Sequence, residues 1–287
     1  MSNFSDFIGG GGSASQINEV VTLNNTADTV TLDDGRVYLK GGTYETNLAT
    51  YPLASTSIQR TGVDFSVSSQ DATPTGVVWD GTYYWVVGST TDAVYKYDSA
   101  GAYTSTSFSV AGQSTSPFGI EWDGTFFWVL DFSGSIYKYS AAGSYQSVSL
   151  TAVGVNGGGD IAWNGTNFFV TSSNNQKVYE VTPANVTVGS FDLSAQLDAP
   201  SGISWDGTFF WVLSTTSDTA YKYDSSFVYQ NESFSVAAEE DWPYGMDWTG
   251  DSFLVTGVQN DKVLEYKPVN GVSSVSNLGG QNYVRVV

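Results

Sequence analysis

The sequence predicts an all-β chain arranged as a ring of repeated four-stranded units, and three observations predict it. A marker tryptophan recurs at Trp79, Trp122, Trp163, Trp205 and Trp248, 41 to 43 residues apart, which is the period of a four-stranded blade. Each tryptophan ends a short apolar run that a turn, usually Asp-Gly, separates from an aromatic run, as in PFGIEWDGTFFWVL from Pro117 to Leu130. Apolar residues at i, i+3 and i+4 are absent, and β-branched and aromatic residues abound between regularly spaced glycines, which is the all-β pattern. The fold class is therefore a five-bladed β-propeller of four-stranded antiparallel blades, an arrangement that leaves few exposed sheet edges. A linear β-solenoid is the rival, but its rungs are usually shorter than this repeat.

The copies begin at Pro74, Pro117, Gly158, Pro200 and Pro243. In the second, Gly119–Trp122 reads as strand A and Phe126–Leu130 as strand B. The Asp-Gly between them favours a primed two-residue turn, with both residues at positive φ. Ile136–Tyr139 alternates apolar and polar residues as strand C, and Tyr145–Leu150 closes the unit as strand D, because strands present two faces in alternation. Thr104–Val110, Val188–Leu193 and Gln230–Val236 are the matching D strands. Val63–Val67 matches them too, although no A to C strands precede it. The expectation is that it completes the last copy, Tyr244–Lys267, and so stitches the ring shut; a competing match, Val269–Leu278, would give that blade its own fourth strand.

The remaining chain divides into residues 1–56, a Gly-rich attachment arm with a small β module, and residues 57–287, the propeller. In the arm, Phe4, Phe7 and Ile8 precede four glycines. They read either as a flexible leader or as an anchor peptide that docks on a larger assembly. Val30–Lys40 reads as a hairpin around Asp34-Gly35, and the tail Gly279–Val287 has a strand-like end expected to pair with the N-terminal module.

Charge narrows the partners. A net charge of −19 with only 10 Lys and Arg repels phosphate backbones and anionic membranes, so nucleic acid is excluded as an expected partner. Such an acidic surface also suits a saline setting, where salt screens the repulsion. The chain has no cysteine and no histidine, which removes thiolate and imidazole chemistry and most zinc sites and leaves carboxylates as the strong catalytic groups. A non-enzymatic protein is the expectation. No basic segment followed by an apolar core opens the chain, and no apolar run approaches the roughly 20 residues of a membrane span. Neither ordinary export nor membrane insertion is expected.

Asp80, Asp123 and Asp206 recur beside the Asp-Gly turns, where they read as turn formers that cap backbone N–H groups. The recurring tryptophans, including Trp85, Trp128 and Trp211 on strand B, read as inter-blade packing. Lys96, Lys138 and Lys222 read as snorkelling along the blades. Function is expected instead on loops that vary, because B–C and D–A connections gather on one face around the channel. The candidates there are Asp92, Asp131, Asn174, Asn175, Asp218 and Asp261, with Trp242 on the last D–A connection. Their chemistry suits a glycan; calcium is the one metal they suggest, without a specific motif. No cofactor is expected.

The segments MSNFSDFIGGGG and YLKGGTYETNLATYPLA, the WDGT-x-[YF]-W-V and VYKYD repeats and the ending QNYVRVV together resemble tail-fibre or appendage proteins of tailed bacteriophages, especially marine ones. The resemblance implies a virion structural protein, located on the phage particle, whose N-terminus attaches to other virion proteins and whose propeller adsorbs to a host surface glycan or receptor. It also implies a homo-oligomer in the particle, and it supplies no catalytic residues. The alternatives are a carboxylate-dependent polysaccharide hydrolase or lyase, and a free-standing lectin.

Overall fold

The computed structural model describes residues 57–238 and 242–269, with two-residue strands at 276–277 and 284–285. The chain forms two compact units, one of Ile58–Lys267 and one of Met1–Ser57 with Pro268–Val287. In the second unit, apart from the ends of two blade strands at Ser57 and Pro268–Val269, the described backbone is a single pairing, β21 (Ser276–Asn277) with β22 (Val284–Arg285), so this part of the tail pairs with the C-terminal segment itself. The expected hairpin at 30–40, and Phe4, Phe7 and Ile8, lie outside the described residues.

The first unit is a five-bladed β-propeller of four-stranded antiparallel blades. Blade 1 is β2 (Pro74–Trp79), β3 (Tyr84–Gly88), β4 (Ala93–Tyr97) and β5 (Tyr103–Ser109). Blade 2 is β6 (Pro117–Trp122), β7 (Phe126–Asp131), β8 (Ser135–Ser140) and β9 (Tyr145–Thr151). Blade 3 is β10 (Gly158–Trp163), β11 (Phe168–Ser172), β12 (Lys177–Val181) and β13 (Thr187–Asp192). Blade 4 is β14 (Pro200–Trp205), β15 (Phe210–Ser214), β16 (Thr219–Tyr223) and β17 (Tyr229–Ser235). Blade 5 joins β18 (Pro243–Trp248), β19 (Phe253–Gly257) and β20 (Lys262–Val269) to β1 (Ser57–Ser66) from the opposite end of the unit, in the order β1-β20-β19-β18.

That closure follows the first of the two expectations. The Val67 amide donates to the Asp261 carbonyl at 2.8 Å, and the Thr61 hydroxyl donates to a Glu265 carboxylate oxygen at 2.7 Å. Asp64 meets both Lys262, at 2.6 Å, and Arg60, at 3.2 Å. These pairs are half-exposed and contribute little net energy. Register is their main effect, since a one-residue slip would turn every side chain of β1 to the wrong face.

The A–B turns correct one expectation. Trp122 pairs with Phe127 across the hairpin, so the loop is the four residues Asp123–Phe126, and only Gly124, at φ 91°, is left-handed. The aspartate replaces the primed geometry. One Asp123 oxygen accepts the amides of Thr125 and Phe126, both at 2.8 Å, and the other accepts the Trp128 indole N–H at 2.7 Å. Asp80 does the same with Trp85, and Asp206 with Trp211. Copies whose turn residue is Asn164 or Thr249 carry Phe169 or Leu254 instead of that tryptophan, so donor and acceptor change together. Lys96, Lys138 and Lys222, opposite those tryptophans, hold their ammonium groups over Tyr83, Phe126 and Phe209 at 3.5, 3.7 and 4.3 Å from the ring centres, a cation–π geometry. The blade edge thus holds more than snorkelling lysines.

Between blades the aromatic residues mesh as the repeat implies. Each strand-A tryptophan packs on the strand-B aromatic paired with it across the hairpin, at 4.5 to 4.6 Å between ring centres. Trp85 then reaches Phe127 of the next blade at 4.7 Å, and Trp128 reaches Phe168 at 4.7 Å. Pairs of this kind add about 0.5–1.5 kcal/mol beyond burial. Toward the axis the opposite rule holds and side chains vanish. A Cβ on Gly245 would lie 2.7 Å from the Gly76 Cα, and one on Gly76 would lie 2.6 Å from the Phe118 carbonyl oxygen.

Gly245→Ala should therefore cost about 3 kcal/mol, at the upper end of overpacking penalties, because the opposing atoms are backbone. Gly112→Ala, where nothing lies within 4 Å, should leave stability unchanged or slightly raised. Denaturant unfolding of the two variants checks this.

Candidate functional site

The B–C and D–A loops meet at one end of the propeller, as expected. Asp71 of a D–A loop accepts both the amide and the hydroxyl of Thr91 in a B–C loop, at 2.8 and 2.6 Å. Ser114 and Asp131 are joined likewise at 2.5 Å.

At this end an open cup of about 430 Å³ lies over the start of the inner strands, within the size range of small-molecule sites. The second residue of strand A decides its shape. In blades 1 to 5 that residue is Thr75, Phe118, Gly159, Ser201 and Tyr244, so blades 3 and 4 leave space and blades 2 and 5 wall it with rings. Phe118 stands edge to face with Tyr244 at 5.6 Å and packs on Phe132 of the blade 2 B–C loop at 5.0 Å. Phe132 remains 42% exposed, so its ring is offered to solvent. Ser173, Asn174, Gln176 and Asp198 line the polar side. The Asn174 amide group donates to Asn156 Oδ1 at 3.3 Å, which orients it.

Of the residues singled out in the sequence, Asn174 lines this cup. Asn175 instead donates to the Gly154 carbonyl at 2.7 Å and to the Tyr179 hydroxyl at 3.0 Å, tying two loops together. Asp131 accepts from Ser114 and from the Ser133 amide, holding its own turn. Asp92, Asp218 and Asp261 recur for a conformational reason: they sit at φ 51°, 48° and 50°, left-handed values that Asp tolerates better than most residues. Their carbonyls accept the amides of Val110, Val236 and Val67, each at 2.8 Å, at the end of strand D. Gln176 and Gly134 fill the same place in blades 3 and 2. These aspartates are not gathered at one ligand. Trp242 is 62% exposed and lies outside the cup lining. Sequence reasoning missed Phe118, Phe132, Tyr244, Gln176 and Asp198; the signal available was the variability of the second strand-A residue within an otherwise regular repeat.

The inner strands carry a second unusual feature. Strand A is an inner edge, so its amides need acceptors that no neighbouring strand supplies. Glu121 accepts the amides of Trp122 and, in the next blade, Trp163, at 2.7 and 2.8 Å. Asp247 accepts Trp79 of blade 1 at 2.7 Å. Asp160, in blade 3, stands where the other four blades have glycine and is fully buried. Its carboxylate accepts the Ile161 amide at 2.9 Å and, across the ring, the Met246 amide at 2.9 Å. Among the described residues no lysine or arginine side chain joins these bonds, and removal from water raises all three carboxyls: Glu121 and Asp160 well above their ordinary values, Asp247 up to about 7. Among the described residues no cluster of three or more acidic, histidine or cysteine side chains has the arrangement of a metal site, and no helix is long and apolar enough to cross a membrane.

No protein-family model and no curated protein matches the chain. Solved structures do resemble it. Glutaminyl cyclase from Myxococcus xanthus superposes with a TM-score of 0.54 at 11% identity, over 73% of this chain and 95% of that one. A chain of a nidogen/laminin complex gives 0.50 at 12%, over 68% and 76%. Virginiamycin B lyase from Staphylococcus aureus gives 0.48 at 12%, over 74% and 99%. At such identity the likeness to the first two shows the propeller fold alone, and no activity transfers with it.

The raised carboxyls fix a sign for pH. Asp247 is ionised at pH values above about 4 when unfolded but only above about 7 when folded. Its contribution to stability is therefore complete below pH 4 and is lost as pH rises through 7. Thermal melting from pH 4 to 8 should show the parent protein losing stability as pH rises through this window, and Asp247→Asn flattening that decline.

Proposed function

We propose that this chain is a non-enzymatic structural protein of a phage virion, a tail fibre or similar appendage, whose N-terminal arm attaches to other virion proteins and whose propeller binds a host surface carbohydrate. The observation that carries the binding reading is the cup. Exposed aromatic faces beside amides and a carboxylate suit a sugar, whose C–H face stacks on rings while its hydroxyls exchange hydrogen bonds with polar side chains. The attachment reading rests on the resemblance of the terminal and repeat segments to phage appendage proteins. Phe4, Phe7 and Ile8 are too few for a core of their own, which suits burial against another chain.

Chemistry at the cup favours binding over turnover. Glycoside hydrolysis uses two carboxylates on either side of the scissile bond, roughly 5–9.5 Å apart, and the lining supplies Asp198. The three raised acids of the inner strands are committed to backbone amides. A shallow polar cup gives weak binding per site, and several copies on one particle restore strength through avidity.

Phe132→Ala and Tyr244→Ala should each lower host-cell or glycan-array binding at least tenfold while the melting temperature stays within a few degrees. Release of soluble sugar from host polysaccharide by the purified protein would favour the hydrolase or lyase instead. Deleting residues 1–12 should leave the propeller folded and abolish incorporation into particles; normal incorporation would remove the attachment claim.

A further inference from the structure

Resting on the carbohydrate reading above, we infer that the cup selects an uncharged pyranose sugar and rejects sialylated, sulfated or uronic acid counterparts. Charge complementarity carries this. Among the described residues the lining of the cup has no lysine or arginine, and its charged group is the Asp198 carboxylate. An anion entering it would lose hydration without gaining an ion pair and would face that carboxylate at close range, in a protein of net charge −19; such an arrangement penalises anionic ligands.

The cations of the blades are committed elsewhere. Lys222 pairs with Glu232 at 2.8 Å, Lys262 with Asp64 at 2.6 Å and Lys267 with Asp251 at 2.6 Å, while Lys96 and Lys138 lie over aromatic rings. Lys177 follows Gln176 of the lining but is matched across the sheet with Asp192. That carboxyl is held below its usual range by the Ser194 hydroxyl and amide and, further, by Lys177. What the cup does offer matches a neutral polyol. Phe132 and Tyr244 present rings, Asn174 and Gln176 are both donors and acceptors, and Asp198 accepts from paired hydroxyls.

The experiment compares binding of the full chain to uncharged oligosaccharides, lactose and N-acetyllactosamine among them, with binding to the sialylated and sulfated forms of the same backbones, at low and at physiological salt. The uncharged forms should bind at least tenfold more tightly, and the gap should narrow as salt screens the repulsion. Asp198→Lys, at an exposed position, should close the gap at least tenfold by admitting the anionic forms. Equal or tighter binding of anionic forms by the parent protein, lost in Phe132→Ala, would overturn the selectivity and leave the carbohydrate reading standing. Failure of every oligosaccharide to bind at millimolar concentration would overturn that reading itself.

Discussion

The approach of the five inner strands to one another constrains everything else in the propeller. They come so near that a methyl group on Gly245 would lie 2.7 Å from the Gly76 Cα, and one on Gly202 would lie 2.9 Å from the Tyr244 carbonyl oxygen. Glycine in mid-strand ordinarily weakens a sheet, and here it is required by sterics. The same closeness leaves inner-edge amides without ladder partners, and Glu121, Asp160 and Asp247 supply acceptors across blade boundaries. The carboxyls that complete the ring are therefore those that burial pushes toward the neutral form.

The outer edge meets the reverse problem. There the D strands end the sheets with exposed backbone, and Ser105, Ser147 and Asn231, with Gly62 in β1, take left-handed φ of 55° to 78°. Next to several of these residues the pairing register shifts. Such bulges bend an edge away from pairing with another chain, and the serine and threonine content of these strands adds polarity without charge.

Blade 3 is where the repeat departs furthest from itself. It has Gly158 for the leading proline, Gly159 where other blades place Thr, Phe, Ser or Tyr, Asp160 for the inner glycine and Asn164 for the turn aspartate. The paired glycines clear the floor that the rings of Phe118 and Tyr244 then wall, and Asp160 refills the axis beneath it. A regular ring would have no such cup, because each blade would present the same residue to the mouth. Departure from symmetry, more than any one side chain, makes the site.

The sequence alone determined the blade count and the strand order, because a period of 41 to 43 residues leaves little choice of topology; it offered Val63–Val67 and Val269–Leu278 as closing strands, and the tertiary structure chose the first. It also identified the turn role of Asp80, Asp123 and Asp206, since Asp-Gly has a local conformational meaning. It misread the turn type, which depends on where strand pairing stops: Trp122 opposite Phe127 fixes a four-residue loop. The loop aspartates were legible as a recurring feature but not as left-handed residues, because only backbone geometry separates a φ requirement from a ligand requirement. The cup was legible only as unexplained variation at one strand position. Phe118, Tyr244, Gly159 and Asp198 are scattered across three copies, and it is closure of the ring that brings them to one rim, with a sequence separation as great as that between Phe118 and Tyr244 reduced to 5.6 Å. Local chemistry wrote the strands, whereas non-local packing around the axis decided which side chains share a space.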